Sequence, residues 1–258
     1  IFDSVGRRSI RDALLSIARA CSRATPNGIV MDPETGLLFS PPHFTWMDTN
    51  FPSGTPRRGY PIEIQALWFA ALRFLDRLNE PGPWPSLAER VADSIIRLYW
   101  LPGRGYLSDC LHGGPETGAA TAKPDDALRP NQLLTLTLGA VRDPTLARSI
   151  LDACAGLLVP GAIRSLADRP VELPLPIRRD GMLLNDPARP YWGTYQGDED
   201  TRRKPAYHNG TAWTWLFPSY SEAFVRVYGE AGKTTALALL ESSRLILNAG
   251  CLGQIPEI

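Results

Sequence analysis

The stretch that decides the fold is QALWFAAL, at residues 65–72. Gln65 is its only polar side chain, so a helix formed here is apolar on nearly every side, as helices buried on all sides are. The segment AWTWLF, at residues 212–217, is similarly apolar. Both follow polar loops that are rich in proline and glycine; such loops cover about residues 39–61, 101–130, 159–210 and 249–258.

Each of these loops precedes one helix of a pair. The other helix of each pair follows a segment that carries no candidate functional residues. A structureless stretch of nearly fifty residues, as at 159–210, is uncommon in a compact domain and is usually functional. The alternation predicts a mostly α chain that forms part of an (α/α)6 toroid. In such a toroid inner and outer helices alternate, and the loops that lead into the inner helices line one mouth of the barrel.

Apolar residues recur at the spacing of one helix face in four segments, which predicts helices there. The segments run from Ile10 to Cys21, Leu67 to Leu78, Leu87 to Leu98 and Leu146 to Leu157. Later helices are predicted at about residues 211–228 and 231–248, and a shorter one at residues 132–138. A small β-hairpin is predicted where residues 28–31 and 37–39 flank the turn sequence DPETG.

Length and charge restrict the class of protein. The 258 residues suffice for the core of one domain, and the 27 basic residues balance the 27 acidic ones. A zero net charge gives no electrostatic reason to expect nucleic acid or an anionic membrane as partner. The four cysteines lie far apart without a CxxC spacing, which argues against zinc or a disulfide framework and favours reduced thiols in a cytoplasm.

The two ends of the sequence suggest an incomplete domain. The chain opens at Ile1 almost directly into a helical pattern and ends at Ile258 after a loop. We therefore expect residues 1–258 to be a single incomplete segment of a catalytic domain, with the remaining part of the same polypeptide as its partner. About four of six helix pairs are expected, with two apolar faces left exposed. No stretch is apolar enough to span a bilayer, so no membrane partner is expected.

Four dense segments carry the residues suited to chemistry on a sugar. They read FTWMDT at residues 44–49 followed by GYPIEIQALW at 59–68, then RPNQ at 129–132, YHNGTAW at 207–213 and GQIPEI at 253–258. In this order they resemble the signature motifs of the amylo-1,6-glucosidase domain of bacterial and archaeal glycogen debranching enzymes. Thr214 departs from the resemblance, since that family often has proline there. We expect this departure to affect the local helix start more than the chemistry.

The resemblance implies a glycoside hydrolase that releases α-1,6-linked glucose from glycogen or a limit dextrin, with inversion and without a cofactor. Such hydrolysis needs one carboxyl group to protonate the leaving oxygen and one to activate water. The resemblance assigns these roles to Asp48 as acid and Glu257 as base. The neighbours Trp46 and Met47 would give Asp48 an apolar setting, which favours the protonated form that a general acid requires. The loop that carries Glu257 would admit solvent.

Further side chains in the motifs are candidates for binding the sugar. Trp46 and Trp213 would form walls that stack on the apolar faces of glucose. Glu63 would bind a hydroxyl group; alternatively, it only complements the dipole of a helix that begins near Pro61.

The next two motifs supply polar candidates. Arg129 and Asn131 would hydrogen-bond sugar hydroxyls; the alternative for Arg129 is an ion pair with Asp125 or Asp126 that holds the loop. His208 would contact a hydroxyl or serve a structural role, which is the commoner one for an isolated histidine.

Two other functions stay open. One is another toroidal sugar enzyme, such as a glucoamylase-like exo-glucosidase or a disaccharide phosphorylase, in which phosphate replaces the base carboxylate. The other is a non-catalytic glucan-binding module. No carboxylate cluster indicates a metal site, and no phosphate loop indicates a nucleotide cofactor.

Overall fold

The structure is a computed structural model that describes residues 9–49, 55 and 57–258. This part of the chain is mostly helical. Its α-helices are α1 Ile10–Arg23, α2 Ile62–Arg77, α3 Trp84–Tyr99, α4 Leu133–Thr137, α5 Pro144–Ala155, α6 Lys204–Tyr207, α7 Phe217–Tyr228 and α8 Lys233–Glu241. Shorter helical turns adjoin four of them. A 3₁₀ turn at Pro130–Gln132 leads into α4, and a π turn at Glu199–Arg203 leads into α6. A 3₁₀ turn at Gly229–Gly232 joins α7 to α8, and another at Ser242–Leu245 follows α8.

Short strands lie in the loops between the helices. They are β1 Val30–Met31, β2 Leu38–Phe39, β3 Gly59–Pro61, β4 Trp100–Leu101, β5 Tyr106–Leu107, β6 Cys110–His112, β7 Lys123–Pro124, β8 Leu158–Val159, β9 Ala162–Arg164, β10 Arg178–Arg179, β11 Met182–Leu183 and β12 Ala212–Trp213. All pairings are antiparallel, and the two three-stranded sheets have the orders β3-β6-β7 and β12-β9-β8. The predicted hairpin is confirmed as β1 and β2, with Val30 opposite Phe39.

Local capping explains where two of the helices begin. At the start of α1 the Ser9 hydroxyl accepts a hydrogen bond from the Asp12 amide at 3.1 Å, and the Asp12 carboxylate accepts one from the Ser9 amide at 3.3 Å. This reciprocal pair is a capping box. At the start of α5 the Asp143 carboxylate accepts from the amides of Thr145 and Leu146 at 2.8 and 2.9 Å.

Helix α2 lies at the centre of the fold, where it packs against α1, α3 and α4. The hydrogen bonds of its one buried amide side chain are all made to nearby backbone groups. Gln65 accepts from the Leu38 amide at 2.7 Å and donates to the carbonyls of Leu38 and Pro61 at 2.9 and 3.1 Å. The apolar helix predicted around residues 65–72 is therefore confirmed, and it anchors β2 and β3. The apolar side chains that it buries are Ile62, Ala66, Trp68, Phe69, Leu72 and Leu75.

The apolar face predicted for residues 67–78 is exposed. Leu67, Phe74 and Leu78 are 50%, 41% and 38% exposed. Because α2 is apolar on nearly all sides, the regular spacing identified the helix but not the side that faces the core.

Further apolar side chains are exposed on α1 and around α8. Ile10 and Ile17 of α1 are exposed, although Leu15 and Ala18 on the same helix are buried. Around α8 the exposed apolar side chains are Leu237, Leu240, Leu245 and Leu247. Two groups of exposed apolar side chains therefore lie on helices or directly beside them, one on α1 and α2 and one around α8.

The helix predicted at residues 211–228 begins only at Phe217. Ala212 and Trp213 form β12 instead, opposite Arg164 and Ile163 of β9. Pairing with a strand about fifty residues earlier overrides the local apolar pattern, because strand formation depends more on context than helix formation does. The last helix is also shorter than predicted, since α8 ends at Glu241.

The prediction of a mostly α chain is confirmed, with more strand pairing than the sequence indicates. Adjacent helices pack as pairs, α2 against α3 and α7 against α8. Among the described residues, no helix combines the length and the apolar character that crossing a membrane requires.

Candidate active site

Trp46 is the centre of an aromatic cluster. The centroid of its ring lies 5.2 Å from that of His208 and 5.1 Å from those of Trp213 and Trp215, edge-on in each case. The indole Nε1–H of Trp46 donates to Asn131 Oδ1 at 2.8 Å. Residues from three of the four sequence motifs therefore meet at one side chain.

Trp213 and His208 form the buried wall of this cluster. Their rings are stacked with centroids 5.4 Å apart, and the Nε1–H of Trp213 donates to the Tyr207 carbonyl at 2.8 Å. His208 Nδ1 lies 2.8 Å from the hydroxyl oxygen of Thr49. Burial, aided by two nearby guanidinium groups, lowers the pKa of His208 to about 3. The imidazole is therefore neutral at neutral pH.

Tyr207 borders the cluster next to both candidate carboxylates. Its ring centroid lies 4.8 Å from that of His208 and 5.3 Å from that of Tyr195. Its hydroxyl donates to Glu257 Oε2 at 3.1 Å. Burial raises the pKa of Tyr207 to about 12; the charge of Glu257 adds to this effect, and so, more weakly, does the charge of Asp48. The phenol therefore stays a hydrogen-bond donor at neutral pH.

A cavity of about 570 Å³ opens beside Tyr207. Asp48 lines it and is exposed. The apolar setting predicted for Asp48 is therefore wrong: Met47 is buried, but the next side chain faces the cavity and solvent. The other residues that line the cavity are Thr49, Tyr195, Glu199, Arg203 and Lys204.

A buried network of charges is joined to the cluster through Asn131, whose Nδ2 donates to Asp109 Oδ1 at 2.8 Å. Arg57 binds two carboxylates, that of Glu63 at 2.5 and 2.7 Å and that of Asp109 at 2.6 Å. Burial raises the pKa of Asp109, and the charges of Arg57 and Arg129 oppose the rise. Glu63 is only 2% exposed and lies in the first turn of α2, where the helix-dipole alternative places it, and its carboxylate also binds Arg57. Removing one member of such a buried pair costs ~3–5 kcal/mol.

Arg129 extends the network to the third motif. Its Nε lies 3.4 Å from Asp109 Oδ2. Its other nitrogens donate to the carbonyls of Ser165, at 3.1 Å, and of His208, and to Asn209 Oδ1 at 2.8 Å. Arg129 is buried, so its contacts hold the loop of the third motif and leave no donor at the surface.

The carboxylate partner of Arg129 is Asp109 and neither of the two predicted at residues 125–126. Those two contact His112 and Arg104, at 2.7 and 2.8 Å respectively. The reason is the sheet β3-β6-β7: β6 runs beside β3, and this brings Asp109, the residue before β6, to the start of α2.

The segment that contains Glu257 is joined to the residues before α7. The amide of Thr214 donates to the Glu257 carbonyl at 3.1 Å, and the Thr214 hydroxyl donates to the Pro256 carbonyl at 2.7 Å. The Glu257 side chain itself is exposed. The Thr214 carbonyl also accepts from the Phe217 amide at 3.2 Å, so Thr214 contacts both the start of α7 and the fourth motif.

Three contributors to the site have little or no signal in the sequence. Asp109 belongs to no motif, and Arg57, two residues before Gly59 of the first motif, was not identified as a site residue; only the folded sheet brings Asp109 to Arg57 and Glu63. Trp215 lies in the segment predicted to be a buried helix, yet it is 44% exposed beside Trp46. The one signal in the sequence for Trp215 was its place in the apolar segment at residues 212–217, which was interpreted as part of a helix.

Aromatic rings grouped near two carboxyl groups on a mostly helical chain are typical of proteins that act on carbohydrates. Flat aromatic faces pack on sugar rings, and pairs of carboxyl groups hydrolyse glycosidic bonds. A family model described as amylo-alpha-1,6-glucosidase matches residues 8–258, and the chain belongs to this family. The resemblance predicted from the four motifs is confirmed.

A relative with a known name supports the same assignment. The glycogen debranching enzyme of Saccharomyces cerevisiae is 26% identical over 253 aligned residues, which cover 76% of this chain and 15% of that protein. The matched region is therefore a small part of the yeast protein's length.

Proposed function

We propose that this chain carries a glucosidase site that releases glucose from α-1,6 branch points of glycogen or limit dextrin. The observation that carries the proposal is the position of Tyr207. Its hydroxyl binds Glu257, and it lines the same cavity as Asp48. Two carboxyl groups that are 209 positions apart in the sequence thus share one neighbour at the edge of the aromatic cluster.

In the proposed reaction Asp48 is the general acid and Glu257 the general base. The Asp48 carboxyl proton passes to the glycosidic oxygen as its bond to the anomeric carbon breaks. A water molecule attacks that carbon from the opposite face and gives a proton to the Glu257 carboxylate. This sequence inverts the anomeric centre and needs carboxyl groups ~6.5–9.5 Å apart in the substrate complex, so that the water fits between base and sugar.

We propose that the other site residues have two roles: some contact the sugar directly, and others hold those side chains in place. Trp46 and the exposed ring of Trp215 are the walls against which the sugar packs, whereas Trp213, predicted as a wall, is only 4% exposed and packs behind Trp46. The buried groups Glu63, Arg129, Asn131 and His208 were predicted to bind substrate. In the structure the first three bind Arg57, loop carbonyls or Trp46, and His208 packs against the tryptophans. Their contacts favour a supporting role.

The proposal includes a toroidal catalytic domain to which the described helices contribute. It is supported by the two exposed apolar regions, on α1 with α2 and around α8, because exposed apolar patches of this kind mark surfaces that pack on other structure. We further propose a cytoplasmic location, supported by four free cysteine thiols, which persist in a reducing compartment.

Replacement of the two carboxyl groups tests the function. In the intact protein, Asp48→Asn and Glu257→Gln are expected to lower glucose release from a limit dextrin by about 10²–10⁴-fold, the usual contribution of acid–base catalysis. Glucan binding should change little, since both groups act in the transition state. Matched controls are Asp152→Asn and Glu230→Gln, at exposed carboxylates outside the site.

Three outcomes would contradict the proposal. Turnover near that of the wild type in either site variant removes that residue from the mechanism. Glucose 1-phosphate as the product in the presence of inorganic phosphate indicates a phosphorylase. Glucan binding by the wild type without release of glucose indicates a binding module.

A further inference from the structure

We propose that Thr214 and Tyr207 together form a clamp that sets the position of the Glu257 carboxylate. This inference rests on the proposed function, in which Glu257 is the general base. Thr214 and Tyr207 are positioning residues in this proposal, because they act through Glu257 and need not touch the substrate.

Thr214 fixes the backbone on which the carboxylate stands. Its amide donates to the Glu257 carbonyl at 3.1 Å, and its hydroxyl lies 2.7 Å from the Pro256 carbonyl and 3.2 Å from that of Glu257. Two consecutive carbonyl groups of the fourth motif are therefore held by one residue. Thr214 in turn directly follows β12, which is paired with β9, so the clamp is attached to a sheet and not to a free loop.

Tyr207 fixes the side chain. Its hydroxyl donates to Glu257 Oε2 at 3.1 Å, and its ring is held between Tyr195 and the stacked rings of His208 and Trp213. The phenol keeps its proton at neutral pH, so this bond persists over the working range. One carboxylate oxygen is thereby occupied, and the other is left for water.

The surroundings of Glu257 explain why a clamp matters. The side chains of Leu252, Gln254 and Ile255 are exposed, so little apolar packing holds the segment in place. Hydrogen bonds therefore carry most of the orientation. A displacement of about 1 Å at a catalytic group can lower the rate about 10²-fold. The loss of one exposed hydrogen bond, in contrast, changes the stability of the fold only slightly.

The test compares three variants in the intact protein. Thr214→Val keeps the amide donor and the branched shape but removes the hydroxyl, Thr214→Ser restores the hydroxyl, and Tyr207→Phe removes the phenol donor. We expect Thr214→Val and Tyr207→Phe each to lower kcat about tenfold, with KM and Tm nearly unchanged. Thr214→Ser should recover most of the turnover. Thr235→Val and Tyr228→Phe are matched controls, at exposed positions away from the site.

A double-mutant cycle separates positioning from a purely structural effect. In a Glu257→Gln background, adding Thr214→Val or Tyr207→Phe should cause no further loss of turnover, since both act through the missing carboxylate. A further tenfold loss in that background overturns the clamp. So does a wild-type kcat in Thr214→Val or Tyr207→Phe, or a loss of kcat that follows a loss of Tm.

The same set of variants distinguishes the two proposals. Full turnover of Glu257→Gln overturns the proposed function, whatever the clamp variants do. An inactive Glu257→Gln with normal clamp variants overturns the clamp alone.

Discussion

His208 shows how one buried side chain links the site to the stability of the fold. Its pKa in the folded protein is about 3, mainly because of burial, whereas an unfolded histidine titrates near ~6.5. Between these two values the unfolded chain binds a proton that the folded chain does not. This group therefore makes stability rise with pH across that window, by up to about 1.4 kcal/mol per pH unit.

The corresponding variant is His208→Asn, which cannot be protonated. We expect it to be less stable than the wild type at pH 7, and we expect the difference to shrink as the pH falls to 4.5. The measurement is urea unfolding of both proteins at the two values of pH. Asp109, whose pKa is shifted in the opposite direction, is present in both and cancels in the comparison. A difference that is constant with pH would show that folding does not lower the pKa of His208.

The residues of the site divide into those that the sequence could identify and those that it could not. Trp46, His208 and Trp213 were found through motifs, and the structure brings their rings together. Asp109 lies 52 positions from Arg57, and nothing in a linear pattern pairs the two. Buried ion pairs between distant segments depend on the finished fold, so the sequence predicted a carboxylate partner for Arg129 but named the wrong one.

Helices were predicted best where their signals are local. The capping side chains of Ser9 and Asp143 lie within three residues of the amides that they bind, so α1 and α5 begin where the sequence indicates. The segment before α7 was predicted wrongly as helix, because the partner strand of Trp213 lies about fifty residues away. Short-range chemistry can be read from a sequence, whereas strand pairing of this range cannot.

The cap of α5 provides a prediction at the scale of one element. Asp143→Ala removes the acceptor for two amides and should lower the free energy of unfolding by about 1 kcal/mol. Asp152→Ala, on an exposed face of the same helix, is the matched control and should have an effect within about 0.5 kcal/mol of zero. Equal effects for both substitutions, measured by chemical denaturation, would show that the cap does not contribute.

The whole molecule presents an apolar stripe on α2 that is unusual for a surface. Leu67 and Phe74 are 50% and 41% exposed, and Ile10 and Ile17 of α1, a helix that packs against α2, are exposed as well. If a toroid continues across this stripe, the same residues are covered in the intact protein. Under the proposal of a toroidal domain, Leu67 and Phe74 are therefore exposed in residues 1–258 alone but buried in the intact protein.

Binding of a fluorescent apolar dye tests this at the scale of the molecule. With residues 1–258 alone we expect dye binding, and we expect Leu67→Glu together with Phe74→Glu to reduce it, because exposed apolar patches are what such dyes bind. In the intact protein the same pair should leave dye binding unchanged and should lower Tm. Reduced dye binding in the intact protein, without loss of Tm, would show that the stripe is open there as well.

The indole cluster around Trp46 gives the molecule an optical property of its own. The ring centroids of Trp213 and Trp215 each lie 5.1 Å from that of Trp46, which is close enough for each pair to couple electronically and to exchange excitation energy. Trp215 is the most exposed of the three indoles, at 44%, so its emission is the most sensitive to whatever covers the cluster. If a glucan packs on that ring, as proposed, the emission and the near-ultraviolet circular dichroism should change, and occupancy of the site could then be followed without any added label.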